Sequence, residues 1–203
     1  MTDFVAVLDA CVLVNACVRD ALLVQAESPA LYLPRWSRGI IQEVSRTLSG
    51  PRFNITPGKV SRLLEQLHLA FPEAPVTDYD ALIPAMENDH DDRHVLAAAV
   101  KCGAQTIVTF NLKHFRDEHL GVWGIEAQSP DSFLTHQYHL DPKATILKLH
   151  TQASRIGWDI HRVIEKLAAH TPEFSRTVAQ QITRARPPRL SAPLGTGTRD
   201  GGK

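Results

Sequence analysis

Acidic side chains occur at three separate places in this chain from which they could converge on one site. Asp9 directly follows the apolar run 4–8 (FVAVL), which is typical of a strand buried on both faces. Glu43 lies on the flank of an amphipathic helical pattern, and Asp92 begins another. Because converging carboxylates repel one another and divalent cations relieve that repulsion, a site of such hard oxygen atoms suits Mg²⁺ or Mn²⁺.

Each of these acids also has a purely structural interpretation. Asp92 could be a helix N-cap. With a helical step of about 100° per residue, however, Asp92 lies on the core-facing side of its helix, where a lone carboxylate is costly unless it is hydrogen-bonded or binds a cation. Taken alone, Glu43 fits a solvated surface side chain and Asp9 fits a turn that follows a strand. His90 and His94 have a spacing seen in zinc sites, but the sequence offers no obvious further Cys or His to complete a set.

The chain alternates predicted strands with helical patterns. The predicted strands are 4–8, 30–33 (ended by Pro34), 106–110 and 123–127, and the predicted helices are 37–48, 59–69 and 92–102. This alternation predicts an α/β fold with a mainly parallel sheet. Asp9 and Asn111 each follow a strand and therefore lie at its carboxyl edge, where open α/β sheets bind ligands. The helix that begins at Asp92 follows another helical stretch, which leaves its position relative to that edge open.

After Leu140 the pattern becomes helical. Asp141-Pro142 and Thr171-Pro172 are helix-start signals, and they predict two or three helices within 142–183. Their apolar side chains are too many for a short helical unit to bury within itself, so they must pack on the rest of this chain, on a second copy or on a partner. The predicted organisation is a domain at 3–137, a helical extension at 141–184 and a disordered tail at 185–203.

Composition narrows the possible partners and the cellular location. The 22 basic and 22 acidic residues balance, so binding to nucleic acid would require a local basic patch. The three cysteines form no C-x-x-C pair and lie in apolar stretches, which predicts reduced, mostly buried thiols and a cytoplasmic protein. The N-terminal stretch carries Asp3 and Asp9, and it predicts neither a signal peptide nor a membrane span.

Four ordered motifs and a closing segment resemble PIN domains, most closely the VapC-type toxins of bacterial toxin–antitoxin pairs. The motifs are 7–16 (VLDACVLVNA), 41–44 (IQEV), 89–99 (DHDDRHVLAAA) and 109–115 (TFNLKHF), and the closing strand and helix are 124–126 (GIE) and 129–134 (SPDSFL). The resemblance covers about 3–137.

The resemblance implies a PIN-like three-layer sandwich and a metal-dependent endoribonuclease that a cognate antitoxin neutralises. Asp9, Glu43 and Asp92 match the three main acidic positions, as catalytic residues and as ligands of Mg²⁺ or Mn²⁺. A cation held there would polarise a phosphate of RNA and activate water, so no protein nucleophile is needed.

Two further acids and two departures from the family pattern concern the same site. Asp89, Asp91 and Asn111 are secondary metal candidates, Asn111 as a weak ligand. Asn111 stands where many members have a fourth Asp, which removes a charge and leaves open whether one or two metals bind. Cys11 stands where a small hydroxyl residue is frequent, which predicts a weaker hydrogen bond to the acids.

Substrate contacts are expected from basic groups near the active edge. Arg35 and Arg38 could grip phosphate, and Trp36 could stack on a base; alternatively, this is a solvated loop with the Trp packed beneath it. Whether the protein forms a homodimer stays open.

Other protein classes fit the sequence less well. A haloacid-dehalogenase-like phosphatase needs a second Asp two residues after the first, and here that position is Cys11. HD phosphohydrolases fit poorly as well, because they are all-helical and need further His ligands, whereas this sequence alternates strands with helices. A PIN-fold binding or regulatory module that has lost catalysis is the remaining alternative, and Asn111 makes it conceivable.

Overall fold

The computed structural model describes residues 2–185 and contains a five-stranded sheet flanked by helices. The strands are β1 (Val5–Leu8), β2 (Leu33–Ser37), β3 (Pro75–Val76), β4 (Thr106–Val108) and β5 (Glu126–Gln128). Their order is β3-β2-β1-β4-β5 and every neighbouring pair is parallel. The predicted α/β architecture is confirmed, with a sheet in which all described pairs are parallel.

The strand predictions were right for β1 and β4 and displaced for β2 and β5. Pro34 does not end a strand; it lies inside β2. Leu33 N donates to Phe4 O in the direction of β1 and Trp36 N donates to Ala74 O in the direction of β3, so the Pro34 nitrogen faces the β3 side. Because β3 pairs with β2 at Trp36 and Ser37, Pro34 removes no ladder hydrogen bond there. The two-residue strand β3 was not predicted.

Helices connect the strands. Their bounds are α1 (Ala10–Leu13), α2 (Ala16–Ala26), α3 (Arg38–Ser49), α4 (Pro57–Ala70), α5 (Arg93–Cys102), α6 (Asp117–Leu120), α7 (Pro130–Leu140), α8 (Pro142–Arg155), α9 (Ile160–Leu167) and α10 (Pro172–Ala185). The predicted helices correspond to α3, α4 and α5, whereas α2 was missed. Short 3₁₀ turns lie at Asp80–Ala85, His90–Asp92, Leu112–His114 and Gly121–Trp123.

Helix α5 settles the position of Asp92. It packs across β1, β2, β3 and β4, and its apolar face is fully buried. It ends at Cys102, just before β4 begins at Thr106, so it runs antiparallel to the strands. The beginning of α5, and Asp92 with it, therefore lies at the carboxyl edge of the sheet, together with Asp9.

The helices after Leu140 pack on the same chain, which was one of the three alternatives. Helix α8 packs on α2, and α10 packs on α7. Lys148 Nζ donates to Glu27 O at 2.6 Å, and Arg155 Nη2 donates to Glu27 Oε2 at 2.7 Å. The carboxylate of Asp131 accepts from Phe174 N at 2.8 Å. Both ends of the extension are thus attached to the sheet-containing part of the chain by hydrogen bonds.

Helix α10 extends to residue 185, and the rest of the tail predicted to be disordered lies outside the described residues. Within the described part of the chain, no helix has the length and apolar character needed to cross a bilayer.

Candidate metal centre

Asp9 is buried at the end of β1 and is oriented by its neighbours. It is 2% exposed, and its backbone N donates to Val108 O of β4 at 3.1 Å. Its Oδ2 accepts a 2.6 Å hydrogen bond from Thr109 Oγ1 and a 3.0 Å hydrogen bond from Cys11 Sγ. The directions of both donors hold the carboxylate plane in one orientation at the sheet edge.

Cys11 keeps the contact that was expected to be weakened. Its Sγ donates to Asp9 and accepts from Phe110 N at 3.2 Å. Burial, followed by the charge of Asp9, raises the pKa of the thiol to about 12. The thiol therefore stays protonated and can act as a hydrogen-bond donor. All three cysteines are free as predicted, but they are partly exposed rather than mostly buried.

The charge of Asp9 acts on both Glu43 and Asp92. Ser37 caps α3 by accepting from Ile40 N at 3.2 Å, which places Glu43 in the second turn of that helix. Burial, then the charges of Asp9 and Asp92, raises the pKa of Glu43. Burial also raises the pKa of Asp92, with Asp9 adding to the shift. The structure therefore brings the three acids close enough to repel one another.

Asp92 occupies the N-cap position of α5, but its side chain makes no capping hydrogen bond. Its Oδ2 lies 2.6 Å from Nδ1 of His114, and this hydrogen bond opposes the upward shift of the Asp92 pKa. Of the two interpretations of Asp92, the structure does not support side-chain capping. Asp92 as a residue is 8% exposed, and its carboxylate is directed across the site towards the loop after β4.

His114 was missed as a site residue, although it lies in the motif 109–115. His114 forms a group with Asp89 and Asp92 in which the potential ligand atoms all lie within 4.8 Å of one another. Among the described residues, this is the group of three or more ligating side chains that lies so close together. A signal was present, since His114 follows β4 closely enough to reach the same edge as Asn111. The turn Leu112–His114 that brings it back to Asp92 has no periodic pattern that would have predicted it.

The remaining acidic and amide candidates lie around this group. Asp91 is exposed and, with Glu43 and Asp92, lines an acidic cavity of about 580 Å³. Asp89 Oδ1 accepts from Asp91 N at 3.2 Å. Asn111 lines a neighbouring groove that also borders Glu43.

His94 lines the acidic cavity, whereas His90 is exposed, so the two do not form the zinc pair that their spacing allows. His94 Nε2 lies 3.8 Å from Glu43 Oε2. Burial lowers the pKa of His94, although the charges of Asp9 and Asp92 act to raise it. A Cβ added at Gly39 would lie 2.9 Å from His94 Nδ1, so the absence of a side chain at Gly39 makes room for the imidazole.

Neither Arg35 nor Arg38, the basic residues expected to bind substrate, lines the acidic cavity. Arg35 lies near Cys102, at the opposite end of α5 from Asp92; burial raises the pKa of that thiol, and Arg35 partly opposes the shift. Arg38 lines a cavity beside Asp78 and Tyr79 that adjoins the acidic cavity at Gly39 and Gln42. Trp36 is 3% exposed and packs edge-on against Phe71, with ring centroids 6.0 Å apart, so it cannot stack on a base.

The donor set fits a divalent cation. Carboxylates that are partly buried and close to one another are stabilised by positive charge; burial raises the pKa of Glu43 and of Asp92, and the charge of Asp9 adds to both shifts. The oxygen atoms of these acids suit Mg²⁺ or Mn²⁺, and His114 lies beside them, hydrogen-bonded to Asp92.

Comparison with known proteins places this geometry in a family. The PIN domain family model matches residues 5–113, more than half of the chain. The chain is 42% identical over 100 residues to "Putative ribonuclease VapC50" of Mycobacterium tuberculosis (strain ATCC 25618 / H37Rv), an alignment that covers 48% of this chain and 59% of that protein. No solved structure shows significant similarity. The family match contains β1 to β4 and all the acids proposed as metal ligands, and the chain therefore belongs to the PIN domain family.

Proposed function

We propose that this protein is a metal-dependent endoribonuclease that acts as the toxin of a toxin–antitoxin pair. The observation that carries the proposal is the convergence of Asp9, Glu43 and Asp92, from β1, α3 and the beginning of α5, at the carboxyl edge of the sheet, where Glu43 and Asp92 line one cavity and the charge of Asp9 acts on both. Membership of the PIN domain family and similarity to a protein named as a ribonuclease support it.

In this proposal Asp9, Glu43 and Asp92 hold Mg²⁺ or Mn²⁺, with Asp89, Asp91 and Asn111 as secondary candidates. A bound divalent cation supplies charge that polarises a phosphodiester and lowers the pKa of water. Other side chains of the site orient these acids.

The orienting side chains have distinct partners. Thr109 and Cys11 hold Asp9 through its Oδ2, and His114 holds Asp92. Asn111 is neutral, so it contributes no charge towards a second cation. A partner-supplied basic side chain inserted among the acids would replace the cation's charge, which is how an antitoxin segment would silence the enzyme.

The proposal is tested with the purified full chain and an RNA substrate in Mn²⁺, in Mg²⁺ and in excess EDTA. We expect cleavage that requires the metal and is lost in Asp9→Asn. The control is Asp3→Asn, an exposed carboxylate outside the site, which should cleave like the wild type. Cleavage that persists in EDTA, or in Asp9→Asn, would contradict the proposal. RNA binding without cleavage would instead identify a catalytically inactive binding module.

A further inference from the structure

A groove of about 960 Å³ begins at Glu43 and extends away from the acidic cavity. Glu43 and Thr47 line both spaces, so a ligand lying in the groove would reach the acids directly. The floor of the groove is apolar, with side chains such as Leu48, Val60 and Leu63. This groove therefore adjoins the candidate metal centre.

The charge of the groove is opposite to that of the acidic cavity. Arg19, Arg52 and Lys59 line it, and Glu43, at its mouth, is the one acidic residue among the described residues that line it. Arg19 is paired with Asp20 at 3.0 Å, so Arg52 and Lys59 are the cations left for a ligand. The chain has no net charge, so these two cations form the kind of local patch that nucleic-acid binding requires here. A polyanion is the ligand whose charge complements them beside a metal-binding site.

One wall of the groove is aromatic and comes from two distant parts of the chain. Phe110, next to the Thr109 that orients Asp9, is 39% exposed despite its size. The ring of His170, from the segment between α9 and α10, lies with its centroid 6.2 Å from that of Phe110. Phe53 lines the groove too, and Arg52 stacks over its ring at 5.3 Å.

The extension holds His170 in place. His170 N donates to Leu167 O at 2.8 Å, and the adjacent Thr171 is fully buried with its hydroxyl bonded to the same carbonyl at 3.1 Å. Asp131 of α7 accepts from Phe174 N, which fixes the beginning of α10 just beyond. His170 therefore stands against the groove on a firmly attached turn, although its own side chain is exposed.

We propose that His170, which the C-terminal extension supplies and which lies outside the family match at residues 5–113, is a contact residue for one base of the RNA substrate in this groove. Exposed aromatic rings beside cations are how proteins hold single-stranded nucleic acid. A duplex hides its base faces within the stack, so His170 would contact a base only where the RNA is unpaired. This inference rests on the proposed ribonuclease function and adds to it a substrate contact from the extension.

The experiment compares His170→Ala, His170→Phe and the control His161→Ala in the full chain. His161 is an exposed histidine of the same extension that lies outside the groove. One labelled RNA carries its cleavable sequence in an unpaired loop, and a second carries it in a duplex. We measure kcat and KM in Mn²⁺, and binding of the loop RNA by fluorescence anisotropy in EDTA.

We expect His170→Ala to raise KM and the dissociation constant about 5- to 10-fold with kcat unchanged, the lower part of what one base–aromatic stack contributes. His170→Phe should bind within about twofold of the wild type because it keeps an aromatic face. His161→Ala should behave as the wild type, and the duplex RNA should be cut poorly.

Binding by His170→Ala that equals binding by His161→Ala would overturn the inference and leave the groove to a protein partner. Equal cleavage of loop and duplex RNA would overturn it as well. If the wild type cuts no RNA but His170→Ala still weakens binding of the loop RNA in EDTA, the proposed function fails and this inference stands.

Discussion

The hydroxyl of Thr109 makes a clear prediction because its contacts are buried and short. Thr109 is fully buried; its Oγ1 donates to Asp9 Oδ2 at 2.6 Å and accepts from Asn111 N at 2.9 Å. Thr109→Val keeps the shape of the side chain and removes both hydrogen bonds. Thr109→Ser keeps the hydroxyl and loses only a methyl group.

Both variants should lose stability, Thr109→Val more than Thr109→Ser, and only Thr109→Val should lose metal affinity. A hydrogen bond to a charged acceptor contributes about 1.5–3 kcal/mol, so Thr109→Val should lower the free energy of unfolding by about 2 kcal/mol. In a chain of this size that corresponds to a fall of about 4–8 °C in melting temperature. Thr109→Ser should lose about 1 kcal/mol, the contribution of one buried methyl group.

Metal binding separates the hydroxyl from the methyl group. Without Thr109 Oγ1 the carboxylate of Asp9 is no longer held in one orientation, and loss of such an outer partner typically weakens metal binding about 10- to 100-fold. Thr109→Ser should bind Mn²⁺ like the wild type. The measurements are thermal melts in EDTA and calorimetric titration with Mn²⁺. A Thr109→Val protein with wild-type melting temperature and wild-type Mn²⁺ affinity would refute this account of how Asp9 is held.

Four further outcomes are expected. Asp92→Ala should abolish metal-dependent cleavage while leaving the fold intact by circular dichroism; full activity would end the metal-site hypothesis. The folded-state pKa values of Glu43 and Asp92 are raised, so the metal-free protein should lose stability as pH rises from the ordinary pKa of these groups to their folded-state pKa. Accordingly, Glu43→Gln should raise the melting temperature of the metal-free protein slightly in EDTA at pH 7 and not at pH 4. For the same reason cleavage should increase with pH through the mildly acidic range, and a rate independent of pH there would argue against carboxylate ligands. Asp131→Ala removes the acceptor at the beginning of α10 and should cost about 1–2 kcal/mol in urea unfolding.

The parts of the structure that local patterns encode were predictable from the sequence. The run 4–8 is apolar throughout because β1 is buried in the middle of a parallel sheet, and helices α3, α4 and α5 have a stripe of apolar residues facing the core. Asp9 follows from its place at the end of β1. The family resemblance added Glu43 and Asp92, which the structure brings into the same field, and their roles as metal ligands remain predictions for the assays above.

What the tertiary structure decided were contacts between residues far apart in the chain. The pairing of His114 with Asp92, and of Thr109 with Asp9 across 100 residues, depends on where a turn after β4 folds back, and no periodicity records that. Pro34 could lie inside β2 only because β3 leaves that position unpaired. His170 reaches the groove because α8 and α10 dock on α2 and α7. A sequence pattern reports which face of an element is apolar, whereas the position of a polar side chain within a site depends on how whole elements pack together.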